Sequence, residues 1–187
     1  MLKILILPDE KLRLKAKKVE TIDKRIEKII KEMAAVLKKS ESPKGIGLAA
    51  PQLGIPLRII LVRFGKTIVP FINPEIISAD GEIIEGFEGC LSVPGIYGYV
   101  KRPAIIHLKF LSNYRFDEKG IPSHTTYYIL HTTPLGSLSA RVIQHEVDHL
   151  NGILFVDQIL EQKGKFYKIT GKDKDGKEVF EEVKLNI

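Results

Sequence analysis

The chain has a single cysteine, Cys90, among 187 residues. One thiol excludes an intrachain disulfide and suits the reducing cytosol, so Cys90 must be explained in another way. Long apolar runs are also lacking: nothing approaches the roughly 20 residues that span a bilayer as a helix. The nearest thing to a signal peptide is MLKILILPDE, whose apolar core is only Ile4 to Leu7 before Pro8-Asp9-Glu10. It reads as a short strand or extended arm. There is no internal repeat and no low-complexity segment. Basic and aromatic residues are not interleaved as they are where bases are read, so neither DNA nor a membrane is expected as a partner. The net charge of +6 reads first as a lysine-rich solvated surface, and second as attraction to an anion such as RNA.

What remains is an ordinary globular composition, 44% hydrophobic and 28% charged, in a length that suits one domain with a real core. Ile22, Ile26, Ile29, Ile30, Met33, Val36 and Leu37 recur at spacings of three and four. This periodicity predicts an amphipathic helix over 23–39, broken by Ser42-Pro43-Lys44-Gly45. Strands or extended segments are predicted at 58–64, 68–78, 104–111 and 125–131, with a turn at Pro134-Leu135-Gly136. From about Ser139 the pattern becomes helical through Val142, Ile143, Val147 and Leu150, and Asn151-Gly152 is the expected stop. Near the end, FYKITGKDKDGKEVFEEV reads as a hairpin turning at Asp175-Gly176. The expectation is an α+β fold with mixed or antiparallel short sheets around a central metal-bearing helix, an N-terminal amphipathic helix and a C-terminal β-hairpin. Residues 1–160 form the catalytic domain in this reading, and 161–187 form a hairpin extension packed on it.

The chemistry begins with QHEVDHLNG at 144–152. On a helix His145 and His149 fall on one face a turn apart and can aim both imidazoles at one point. Glu146 lies about 100° further round, beside a metal rather than on it, placed to hydrogen-bond a water there. Chance occurrence of H-E-x-x-H and a closed structural site with four protein ligands are the competing readings. Asp148 is either a second acceptor behind the ligands or a surface acid. Cys90, in EGFEGCLSVPG, would be a small buried hydrophobe if taken alone. Beside two histidines it supplies a third ligand and leaves a tetrahedral position open. A divalent ion, a thiolate and a hydroxide also sum to zero charge, which is cheaper to bury. His107, His124 and His131 read as satisfied polar residues rather than ligands.

GIGLAAPQLG at 45–54 lacks the lysine that a phosphate loop needs, and Pro51 argues against a helix interior. Gly45 and Gly47 instead allow close approach of an extended peptide, which could pair along this edge as an added strand. Gln52, beside a metal, becomes a candidate donor to an oxyanion.

Taken together, Gly45–Gln52, Glu88–Ser92 and Gln144–Gly152 resemble three motifs of peptide deformylase: G-φ-G-φ-A-A-x-Q, E-G-C-L-S and Q-H-E-x-D-H-φ-x-G, in that order and at similar spacing. The resemblance covers about residues 1–157. It implies hydrolytic removal of the formyl group from the N-terminal formylmethionine of nascent chains in the cytoplasm, with release of formate. It implies one divalent metal on Cys90, His145 and His149, typically Fe(II) in the cell, with Zn(II), Ni(II) or Co(II) able to occupy the site. It assigns Glu146 as general base and acid, Gln52 and the backbone N–H of Leu91 to the oxyanion, and Gly47 and Gly89 to the substrate backbone. Glu88 would pair with Arg102. Val142, the stem of Arg141 and Ile46, next to Gly45, are the candidates for a methionine pocket. A metallopeptidase is the nearest enzyme alternative, but its third ligand would lie downstream. A catalytically silent protein that binds N-termini is the alternative from another class. Two features depart from the family. The segment 111–138 is longer than the usual hairpin before the metal helix and reads as a lid, a contact surface or a longer hairpin. The C-terminus reads as a hairpin rather than the long helix with which some members dock on the ribosome, leaving the +6 charge as the remaining basis for ribosome contact near the exit tunnel.

Overall fold

The computed structural model describes residues 2–40, 45–117 and 121–185, with backbone alone over 132–138. The expected break at Ser42-Pro43-Lys44 lies outside these residues. Helix α1 spans Lys24–Lys39; the Asp23 side chain accepts from the backbone N–H of Ile26 at 2.9 Å and caps it. Its apolar stripe buries Ile26, Met33 and Leu37. Met33 and Leu37 are fully enclosed, and such burial is worth about 1.5–3 kcal/mol per side chain.

Among the described residues, seven strands form one sheet rather than the several short ones expected: β1 (Gly47–Ala49), β2 (Ile59–Phe64), β3 (Thr67–Cys90), β4 (Val93–Phe116), β5 (Pro122–Gly136), β6 (Phe166–Lys172) and β7 (Glu178–Val183). Every named pairing is antiparallel, in the order β1-β2-β3-β4-β6-β7, with β5 also on β4. β3 and β4 each run 24 residues because register shifts, among them Ile72/Glu75, Ile76/Ser78 and Asp80/Ile83, bend the ladder without ending it. The segment 111–138 is therefore largely the far end of a long β4–β5 hairpin. Pro134-Leu135-Gly136 is not the predicted turn: β5 continues through it, with Pro134 opposite His107 and Gly136 opposite Ile105. Proline is tolerated there because β5 pairs with one neighbour only, as an edge strand.

Helix α2 (Ser137–Leu150) follows directly. Ala140, Ile143, Val147 and Leu150 join Phe71, Ile106, Leu108 and Phe110 in one core cluster, which fixes the opposite helix face towards the end of β3. Gly152 stops the helix at φ 75°, where its N–H donates to the His149 carbonyl at 3.2 Å. A short helix, α3 (Phe155–Glu161), was not foreseen; seven residues give too little periodicity to register. Phe155, Val156 and Ile159 bury it against Cys90, Val93, Val100 and Phe166. The C-terminal hairpin is present, with β6 on β4 and a loop wider than a two-residue turn, in which Asp173 accepts from the N–H groups of Asp175 and Lys177.

Candidate active site

Three elements meet at the end of β3. Cys90 is its last residue, α2 carries His145, Glu146 and His149, and the 3-10 turn Ala50–Leu53 after β1 carries Gln52. The N-terminal arm ties two of them together: the Leu5 N–H donates to the Gln52 carbonyl and the Leu7 N–H to the Ser92 carbonyl, at 2.7 and 2.9 Å.

Cys90, His145 and His149 are all buried, and their ligand atoms lie within 4.8 Å of one another. Cys90 Sγ and His149 Nε2 are 3.2 Å apart. Metal–ligand bonds of about 2.0–2.3 Å put tetrahedral ligand atoms roughly 3.3–3.6 Å apart, so this donor set fits one small divalent ion after slight adjustment. Among the described residues no other cluster of this kind is found. A second observation supports the fit: Glu146, only 4% exposed, has a buried Oε2 with no hydrogen-bond partner among the described residues. Such an atom needs a ligand or a water.

The candidate ligands are held from behind. His145 Nδ1 lies 3.0 Å from Glu88 Oε2, which fixes the ring with Nε2 free to ligate. Glu88 also accepts from Arg102 at 2.7 and 3.0 Å and from Arg141 at 2.8 Å, while Arg102 reaches Asp148 at 2.9 Å. Burial pushes the Glu88 carboxyl up, but the bonds from His145 and Arg102 outweigh this and bring it down to about 2. Burial, then the charges at His145 and Arg102, holds His149 well below the ordinary imidazole range, in the neutral form a metal needs. Burial, with help from Glu88 and Asp148, pushes Glu146 up to about 7, the range of a working acid and base; a divalent cation alongside would pull it back. Asp148 is thus an acceptor within the network, also taking a bond from Gln158 of α3 at 3.2 Å.

Gln52 is 1% exposed and held at both ends: Oε1 accepts from the Ala49 N–H at 2.7 Å, and one Nε2 hydrogen goes to Ser92 Oγ at 3.1 Å, with Nε2 within 3.5 Å of Cys90 Sγ. Its amide is therefore aimed into the site by its neighbours.

A cavity of about 260 Å³ opens over these groups, lined by Gly45, Ile46, Gly47, Gln52, Gly89, Cys90, Leu91, Arg141, Val142, His145 and Glu146, among others. Of the residues expected to catalyse, bind substrate or ligate metal, His149 alone is not on its wall; its Nε2 lies 3.2 Å from Cys90 Sγ. Arg141 does more than lend its stem: Nη1 donates to Glu88 and the Val100 carbonyl, so helix, β3 and β4 are locked together. Gly47 is required by closeness, because a Cβ there would collide with the Glu146 carboxylate. His107 pairs with Asp80 at 2.8 Å, His124 with Asn113 at 3.1 Å, and His131 stacks on Phe110, all away from the metal cluster. Sequence reasoning did not find Ser92, Gln158, or the cavity residues Phe87 and Tyr97. Ser92 alone had a signal, as the polar residue ending EGCLS.

The polypeptide deformylase family model matches residues 1–165. The peptide deformylase of Dictyoglomus turgidum is 43% identical over 154 residues, covering 82% of this chain and 90% of that protein. One from Prochlorococcus marinus is 42% identical over 167 residues, covering 87% and 75%. Among solved structures, a peptide deformylase from Thermotoga maritima superposes with a TM-score of 0.68 at 36% identity, covering 84% of this chain and 97% of that one. A Synechococcus elongatus peptide deformylase in complex with actinonin gives 0.68 at 39%, covering 84% and 78%.

Proposed function

The chain belongs to the polypeptide deformylase family and removes the N-formyl group from nascent peptides, and from that premise we propose how its own residues do so. The observation that carries the reading is the convergence of the Cys90, His145 and His149 ligand atoms at a cavity whose wall also carries Glu146 and Gln52.

Cys90, His145 and His149 would hold one divalent metal, for which the donor set suits Fe(II) in the cell and Zn(II), Ni(II) or Co(II) in its place. When bound, the metal activates a water towards attack and polarises the formyl carbonyl. Glu146, with its unpartnered Oε2, receives the proton that the attacking water gives up and returns it to the departing amine nitrogen. Gln52 Nε2, aimed by Ser92 and Ala49, and the Leu91 backbone N–H meet the charge that develops on the carbonyl oxygen; one such donor is commonly worth about 3 kcal/mol. The same Gln52 amide crowds the place where an acetyl group would carry its methyl, which favours formyl. Gly45, Gly47 and Gly89 offer backbone to an extended substrate at the cavity edge. Ile46, Val142 and the stem of Arg141 receive the methionine side chain.

Residues 161–187 are read as an extension of one catalytic domain ending near 160. No helix among the described residues is long and apolar enough to cross a membrane. The place of action is read as the cytoplasm, with the lysine-rich surface as the candidate contact to the ribosome.

The test is formate release from formyl-Met-Ala-Ser by metal-loaded protein, set against cleavage of the unformylated peptide. Formate without peptide-bond cleavage is expected; cleavage without formate release would overturn the assignment.

A further inference from the structure

The two groups that meet the developing charge come from separate segments. Gln52 stands in the 3-10 turn Ala50–Leu53, and the Leu91 N–H follows the end of β3 at Cys90. Both must reach one oxygen to stabilise it, so the distance between the two segments has to be fixed. On the cavity side a single side-chain bond fixes it, from Gln52 Nε2 to Ser92 Oγ at 3.1 Å. On the other side the N-terminal arm does so with backbone. The Leu5 N–H donates to the Gln52 carbonyl at 2.7 Å, and the Leu7 N–H donates to the Ser92 carbonyl at 2.9 Å. Together the three bonds close a ring through Gln52, Ser92 and residues 5–7.

The arm is seated for this task. Leu2 and Ile4 pack against the core cluster that holds Ala50 and Leu53, the two ends of the Gln52 turn. Leu5 and Leu7 pack against the cluster that holds Cys90 and Val93, on either side of Leu91-Ser92. Contact that alternates in this way belongs to extended chain, which sets the Leu5 and Leu7 N–H groups about 7 Å apart on one side. Gln52 and Ser92 are both buried, so a carbonyl that lost its donor would have no ready water to replace it. No residue of the arm lines the cavity, so the arm acts from behind.

We propose that Leu5 and Leu7 are positioning residues for deformylation, their backbone N–H groups setting the separation of the Gln52 amide and the Leu91 N–H at the formyl oxygen. This rests on the reading of those two groups as the oxyanion donors.

The test is a double-mutant cycle on formate release from formyl-Met-Ala-Ser by metal-loaded protein, with Tm and metal content measured for every variant. Leu5→Pro removes the N–H. It is expected to lower kcat about tenfold, with KM within about twofold and metal unchanged, short of the roughly 10²–10³-fold loss of Gln52→Ala. Added to Gln52→Ala, Leu5→Pro is expected to cost less than about twofold, because the amide it aims is gone. Leu5→Ala keeps the N–H while losing the side chain, and is expected to recover most of kcat even where Tm falls. Leu5→Gly serves if Leu5→Pro does not fold: it keeps the N–H on a looser backbone, and its kcat is expected about threefold below that of Leu5→Ala, a gap that closes in the Gln52→Ala background. Full kcat in Leu5→Pro, a loss that persists beside Gln52→Ala, or Leu5→Ala as slow as Leu5→Pro overturns the proposal. So does a gap between Leu5→Gly and Leu5→Ala that is absent, or that survives Gln52→Ala. If Gln52→Ala itself keeps full kcat, the reading of Gln52 as a donor fails, and the role of the arm with it.

Discussion

Gly47→Ala adds one methyl group at the most constrained point of the site. The new Cβ would stand 2.8 Å from both Cγ and Cδ of Glu146, whereas carbon atoms rest about 3.5–4.0 Å apart. One of the two side chains must give by roughly 0.7–1.2 Å. Gly47 cannot, because β1 is paired with β2 through Gly47 opposite Val62. The carboxylate of Glu146 therefore moves, and a misplacement of about 1 Å costs on the order of 10²-fold in rate. Gly47 does not need a left-handed backbone, so strain in the main chain is not the cause. Overpacking of this kind also costs about 1–3 kcal/mol of stability, which the fold should survive. The assay is steady-state formate release with metal per chain measured on the same samples. The expected result is kcat down about 10²-fold, KM within a few-fold, and metal content unchanged, since Glu146 is not a ligand. Gly171→Ala, at a site with nothing within 4 Å, serves as the control and should leave kcat as it was. Full kcat in Gly47→Ala would refute the claim that Glu146 works from its present position.

Other perturbations separate aiming, support and metal. Ser92→Ala removes the 3.1 Å acceptor of Gln52 Nε2 but leaves Oε1 held by Ala49, so kcat should fall about tenfold, short of the roughly 10²–10³-fold expected for Gln52→Ala; an unchanged kcat, or a further tenfold loss when Ser92→Ala is added to Gln52→Ala, would show that Ser92 does not act by aiming Gln52. Arg102→Met leaves buried Glu88 with Arg141 and His145 and leaves Asp148 with Gln158 as its neutral donor, at a cost of about 3 kcal/mol and a Tm lower by roughly 10 °C in calorimetry. The sign with pH follows from Glu88, held at about 2 against an ordinary carboxylate value of 4.5: its contribution is full above 4.5 and is lost as pH falls through about 2, and removing Arg102 should move that loss to higher pH in urea titrations. Chelation should abolish formate release and lower Tm, with both restored by adding back a divalent ion; activity unchanged at zero measured metal would refute the cluster as a metal site.

Legibility from sequence followed the range of the interaction. His145, Glu146 and His149 share a helix, so their relation is set by 3.6 residues per turn and is visible in the string. Cys90 was found because thiolate chemistry demands a reason for a lone cysteine, and Gln52 because a metal site needs a donor. The supports of these groups are cross-strand contacts. Ser92 meets Gln52, and Arg141 meets Glu88, only once β3, β4 and α2 are packed, and no local period encodes that. Pro134 and Gly136 were misread because their local preference for a turn is overridden by pairing with β4. Helix α3 is too short for its pattern to stand above noise.

The central claim is that Glu146 moves the proton in a site whose metal is held by three other residues. The direct measurement is formate release from formyl-Met-Ala-Ser by unaltered protein and by Glu146→Gln, with bound metal quantified in both. The account predicts equal metal content and a rate in Glu146→Gln lower by about 10²–10⁴-fold. Formate release at the unaltered rate, with metal bound, would contradict it.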